Sequence, residues 1–136
     1  MRRHPRYEAF IDCELAGDRG MRTSGTLVDI SLGGAGIKLN GWDGSELLAL
    51  GLSHGEQRLI LRCEVRHAQP LWGKILLHTQ FTGLTDEEAE GVQRIVEDLR
   101  AEEERAARLG GRGGPISFRR LRERLRGKPD GAERVA

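Results

Sequence analysis

The chain has 136 residues and a mass of 15.1 kDa, enough for one domain with a real core and too little for two. Hydrophobic residues at 38% and charged residues at 32% exclude a fully disordered chain, while 22 basic against 21 acidic residues leave a net charge that points to no partner. The basic side is 19 Arg and 3 Lys, and Arg is the better residue for forked contacts to phosphate and for stacking on bases.

Residues 1–6 form a basic arm interrupted by Pro5. Residues 7–15 read as a first strand, with Tyr7, Ala9, Ile11 and Cys13 on one parity, Glu8, Asp12 and Glu14 on the other, and Phe10 out of pattern. Residues 21–30 read as a second strand and 35–39 as a third. Residues 40–54 carry no clear period and are expected to hold a loop or a short helical turn near 45–50. Residues 57–66 alternate strictly, Leu59, Leu61, Cys63 and Val65 against Arg58, Ile60, Arg62, Glu64 and Arg66, which specifies a half-buried antiparallel strand. Residues 72–81 are the next strand, split or joined to a short piece near 64–69. Short strands with glycine-marked turns suggest a small barrel or sandwich, and closure would protect their edges.

The period changes at Thr85. Thr85, Asp86, Glu87 and Glu88 make a capping box, and Asp86 and Glu87 suit the positive end of a helix dipole. Ala89, Val92, Val96 and Leu99 follow at helical spacing, with Ile95 beside them, so a helix is expected to about Leu109. Residues 1–109 are therefore read as one domain. Residues 110–136 are read as a Gly-rich linker and basic tail, with room for a short helix around Phe118, Leu121 and Leu125.

Two motifs remain. Arg2 and Arg6 are spaced by four, a spacing this chain contains six times, so alone it says little. Asp29-Ile30-Ser31-Leu32-Gly33-Gly34 fits Asp/Asn-x-Ser-x-x-Gly, for which this composition gives roughly 0.04 chance occurrences. The arginine pair comes just before the first strand, and the Asp-Ser-Gly corner follows the second. The run Phe81-Thr82-Gly83-Leu84 leads into the helix. That ordered set, over about residues 2–100, resembles the PilZ domain family, six-stranded barrels that bind the bacterial second messenger cyclic di-GMP.

The resemblance implies an all-β fold with a C-terminal α-helix, a six-stranded antiparallel barrel. It implies that Arg2 and Arg6 grip ligand phosphates and guanine edges, and that Asp29, Ser31 and Gly34, with Gly33, hold a guanine at the barrel surface. In that family the residue before the arginine pair can affect how many ligand molecules bind; here it is Met1. The chemistry suits those residue types. A guanidinium can fork onto phosphate oxygens or onto guanine O6 and N7, or stack on a purine. A carboxylate accepts from guanine N1–H and N2–H, a donor pattern adenine lacks. Glycines let the backbone turn and approach closely.

Other residues have plainer readings. His4, His54, His67 and His78 lack metal-ligand spacing and are taken as surface or barrel residues, with His4 placed inside the arginine motif. Cys13 and Cys63 fall on inward faces and are expected in the core, and Trp42 and Trp72 at the barrel ends. No catalytic constellation, metal site or resident cofactor is expected. With no membrane-length apolar run, no signal-peptide apolar region and no disulfide framework, the chain reads as cytoplasmic. The expected partners are cyclic di-GMP and an unidentified effector protein. The basic tail, seven basic residues and one acid over 112–128, is expected to meet an anionic surface or the chain's own acidic helix, with nine acids and two Arg over 86–104. Two other readings stand beside the receptor: an adaptor barrel without ligand, acting through its helix and tail, and a small nucleic-acid-binding barrel.

Overall fold

A computed structural model describes residues 4–109. Six strands run Tyr7–Gly17 (β1), Arg22–Ile30 (β2), Gly34–Leu39 (β3), Leu47–His54 (β4), Gln57–Leu71 (β5) and Lys74–Phe81 (β6), followed by the helix Asp86–Leu109 (α1). The strands close into an antiparallel barrel in the order β1-β2-β3-β6-β5-β4. Closure is made where β4 pairs with β1, from Cys13 opposite Leu52 to Gly17 opposite Leu48. No strand edge is left over along that seam.

Alternation explains the core. Leu15, Leu27, Ile37, Leu50, Leu61 and Leu77 point inward and are buried. Cys13 and Cys63 join them as free thiols, and burial pushes both up to about 12 from an ordinary 9.0.

The expectation of a loop or helical turn near 45–50 is corrected: β4 is a strand. Its leucines alternate, with Leu48, Leu50 and Leu52 buried, while Leu47 is 53% exposed and breaks the apparent pattern. Trp72 is corrected as well. β5 runs on to Leu71 and turns through Trp72 and Gly73 back into β6 at Lys74. Both turn residues have positive φ, 51° and 81°, as two-residue hairpins prefer, and Trp72 is 90% exposed rather than packed. Trp42 does pack at a barrel end, donating its Nε1–H to the Ser45 carbonyl at 2.9 Å. The buried Ser45 hydroxyl donates to Asp43 at 2.6 Å and holds that carboxyl below the usual carboxylate range.

The capping box forms as expected: Thr85 N–H donates to Glu88 at 2.9 Å and Glu88 N–H to the Thr85 hydroxyl at 3.1 Å. Helix α1 buries Gly91, Val92, Ile95, Val96 and Leu99 across the barrel end that carries the β4–β5 turn. His54, the last residue of β4 before that turn, meets Asp98 at 3.1 Å. Gly91 leaves room there for Leu59: a Cβ would sit 2.7 Å from Leu59 Cδ2, and that side chain would have to shift.

Candidate functional site

The site stands at the same barrel end, at the corner where β2 turns into β3. Ser31 builds the corner. Its hydroxyl accepts the amides of Gly33 at 3.1 Å and Gly34 at 3.2 Å, and its own amide donates to the Gly34 carbonyl at 2.9 Å. This is the local side-chain turn that Ser favours. Ser31 is buried, so its hydroxyl serves the backbone. Gly34 has a packing reason to be glycine: a Cβ would lie 2.1 Å from the Thr79 carbonyl oxygen of β6. A Cβ on Gly33 would lie 3.0 Å from the His4 ring, which rests over the corner.

Arg6 immediately precedes β1. Its Nη1 donates to Asp29 Oδ1 at 2.7 Å, joining residues 23 positions apart. Side-chain exposure is 20% for Arg6 and 26% for Asp29, so both remain reachable. The sequence-predicted Arg6, Asp29, Ser31, Gly33 and Gly34 thus meet at one corner. Arg2 lies outside the described residues.

Asp29 faces outward because of a bulge. Leu27 opposes Ile37 and Asp29 opposes Gly36, with Val28 as the extra residue. Strict alternation from buried Leu27 would have driven the carboxylate into the core. The bulge turns it outward and returns Ile30 inward. The carboxylate then leans over Gly36, where a Cβ would stand 2.8 Å from Oδ2. A second bulge does the same in β5: Val65 opposes Thr79 and His67 opposes His78, with Arg66 between. The result is one outward row across five strands, Glu8, Asp29, Gly36, His78 and His67. The sequence leaves Gly36 between a turn and a ligand role, and it marks His67 and His78 only as surface or barrel residues, without placing them on this row. Nothing local places them there, since their juxtaposition depends on register. His4 was placed within the motif, and the corner contact gives it a position.

Among the described residues no group of three or more His, Cys, Asp or Glu is placed to hold a metal ion, and no helix is long and apolar enough to cross a membrane. What the corner offers is an acceptor facing a forked cation beside a side-chain-free floor.

The chain belongs to the PilZ domain family, whose model matches residues 1–98. Similar solved structures include the PilZ domain with c-di-GMP of YcgR from Escherichia coli, 18% identical with a TM-score of 0.63, covering 79% of this chain and 98% of that one. The K. pneumonia MrkH–c-di-GMP complex is 18% identical with a TM-score of 0.66, covering 77% of this chain and 55% of that one. The PilZ domain of CeSA from a cellulose-synthesizing bacterium is 24% identical with a TM-score of 0.57, covering 71% and 98%. At these identities the likeness establishes the fold, the six-stranded barrel with its C-terminal helix. No curated protein sequence matches the chain.

Proposed function

We propose that this chain is a non-enzymatic receptor for cyclic di-GMP. The observation that carries the reading is the 2.7 Å approach of Arg6 to Asp29 at the barrel corner. A cationic leader and an acidic corner, distant in sequence, face one another on a family fold whose solved members include c-di-GMP complexes.

Each residue has a role that follows from its chemistry. Asp29 accepts from guanine N1–H and N2–H. Arg6, with Arg2 as its partner, turns its fork onto phosphate oxygens or a guanine Hoogsteen edge. Ser31 holds the corner that presents Asp29, and Gly33 and Gly34 keep it compact. The Arg6–Asp29 pair does not block this exchange. A partly exposed ion pair is worth at most about 1 kcal/mol, whereas a good paired base contact contributes about 1–3 kcal/mol. Redirecting Arg6 from Asp29 to ligand is therefore favourable. The same exchange moves the arm, and a cationic segment that changes its contacts on ligand binding is a surface an effector protein can read.

Isothermal titration with cyclic di-GMP tests the reading. Binding that is lost in Arg6→Ala and in Asp29→Ala supports it. No heat at high micromolar ligand favours the adaptor. Oligonucleotide affinity that falls steeply with salt and vanishes on deleting residues 112–128 favours the nucleic-acid reading. Equal amide protection of residues 2–8 with and without ligand removes the arm from the signalling step.

A further inference from the structure

We infer that the paired imidazoles of His78 and His67 form the far wall of the ligand surface, an aromatic face met by the far edge of the purine whose other edge faces Asp29. The inference rests on the receptor reading above and extends it to residues outside both motifs.

The two rings lie on neighbouring strands, with centroids 5.5 Å apart and planes 30° from parallel. His78 Nε2 meets Gln69 Oε1 at 3.2 Å, which ties the ring's polar edge to β5. Asp29 and His78 occupy the same outward row, each opposite Gly36 on its own side. Two strand spacings separate them, roughly 9.5 Å. The position between carries no side chain. A guanine that donates N1–H and N2–H to Asp29 must project its ring away from the carboxylate. Across the row that direction leads over Gly36 to His78.

A cross-strand histidine pair could serve the sheet alone, as such pairs commonly do. Two features of the row argue for more. His67 faces outward only because of the Arg66 bulge; without it the ring would continue the inward parity of Cys63 and Val65. Asp29 faces outward only because of the Val28 bulge. Bulges of this kind re-aim side chains beside functional sites. Here two of them, on strands separated by β3 and β6, bring their residues to one level of one face. The interior glycine between them weakens β3 and keeps the floor open for a close approach.

The test is titration of cyclic di-GMP into the full chain, into His78→Ala, His67→Ala and His78→Phe, and into Asp29→Ala as the control for the receptor reading. Thermal melts accompany each variant to show that it is folded. His78→Ala is expected to weaken binding about fivefold, as for loss of one edge-to-face aromatic contact. His78→Phe keeps the aromatic plane and is expected to bind within about threefold of the parent chain. The imidazole proton resonances of His78 and His67 are expected to shift on adding ligand, a change that a merely structural pair would not show. Parent binding lost in Asp29→Ala but unchanged within twofold in both histidine-to-alanine variants overturns the wall and leaves the receptor standing. Equal losses in His78→Ala and His78→Phe overturn the aromatic contact as its basis. No binding by the parent chain overturns the receptor reading, and the wall with it.

Discussion

Gly34 and Gly36 sit two residues apart on the outward side of β3, and the structure assigns them opposite consequences. Adding a methyl at Gly34 puts a carbon 2.1 Å from the Thr79 carbonyl oxygen and 3.1 Å from Gln80 Cα, both backbone atoms. Neither can swing aside. The β3–β6 ladder must part where Gly34 opposes Gln80, and the neighbouring bond from Phe81 N–H to the Gly33 carbonyl, 2.9 Å long, goes with it. Overpacking and one lost hydrogen bond together cost about 3 kcal/mol or more, against a total stability of about 5–15 kcal/mol for such domains. At Gly36 the three nearest atoms to the new methyl all belong to the Asp29 carboxylate, 2.8–3.1 Å away. That group can rotate, at about 0.5–1.5 kcal/mol for an off-rotamer side chain. Rotation forfeits the alignment that brings Asp29 Oδ1 within 2.7 Å of Arg6. Thermal unfolding followed by circular dichroism should therefore show Gly34→Ala melting about 15 °C or more below the parent, and Gly36→Ala less than about 8 °C below. Titration with cyclic di-GMP should show Gly36→Ala about tenfold weaker. A Gly34→Ala melt within a few degrees of the parent would refute the packing argument. Parent-like ligand affinity in Gly36→Ala would refute the claim that Asp29 must lean over a bare floor.

Leu50, fully buried where β4 meets β1 and β5, should cost about 2–5 kcal/mol as Leu50→Ala in urea unfolding. Ser31→Ala removes the acceptor for two amides and should lower stability by about 1–2 kcal/mol, with a parallel loss of ligand affinity; an unchanged melt would mean that the corner holds without its hydroxyl. Cys13 and Cys63 should resist iodoacetamide in the native protein at neutral pH and react once it is unfolded. Their folded values are raised, so stability is fully present below the ordinary value of 9.0 and declines as pH rises from there towards about 12, because only the unfolded thiols ionise in that window. A pH titration of the unfolding midpoint checks the sign, and Cys→Ser at both positions should flatten that part of the curve. His54→Ala, which breaks an exposed contact to Asp98, should change stability by less than about 1 kcal/mol.

Much of the architecture was legible along the chain because it depends on neighbours in sequence. The strict alternation of 57–66 placed Leu59, Leu61, Cys63 and Val65 on one side of a strand, and β5 obeys it over those residues. The capping box at Thr85 was readable for the same reason: both of its hydrogen bonds span three residues. The Asp29–Gly34 corner closes through Ser31 within four residues, so its geometry is also local. β4 was harder. Its leucines do alternate, but Leu47 is apolar and outward, and Ala49 and Gly51 are too small to mark a solvent face.

Local hydrogen bonding and side-chain polarity, carried by the order of residues alone, sufficed for most of the strands, the start of the helix and the acidic corner. The folded barrel alone settled register. Whether Asp29 turns to water or to the core, whether His67 meets His78, and whether Arg6 reaches across to β2 depend on single extra residues at Val28 and Arg66 and on which strand lies alongside. A one-residue offset reverses every side chain beyond it. That choice is made by the packing of the whole sheet, where the energies of many distant pairs are summed, and no short stretch of the chain contains it.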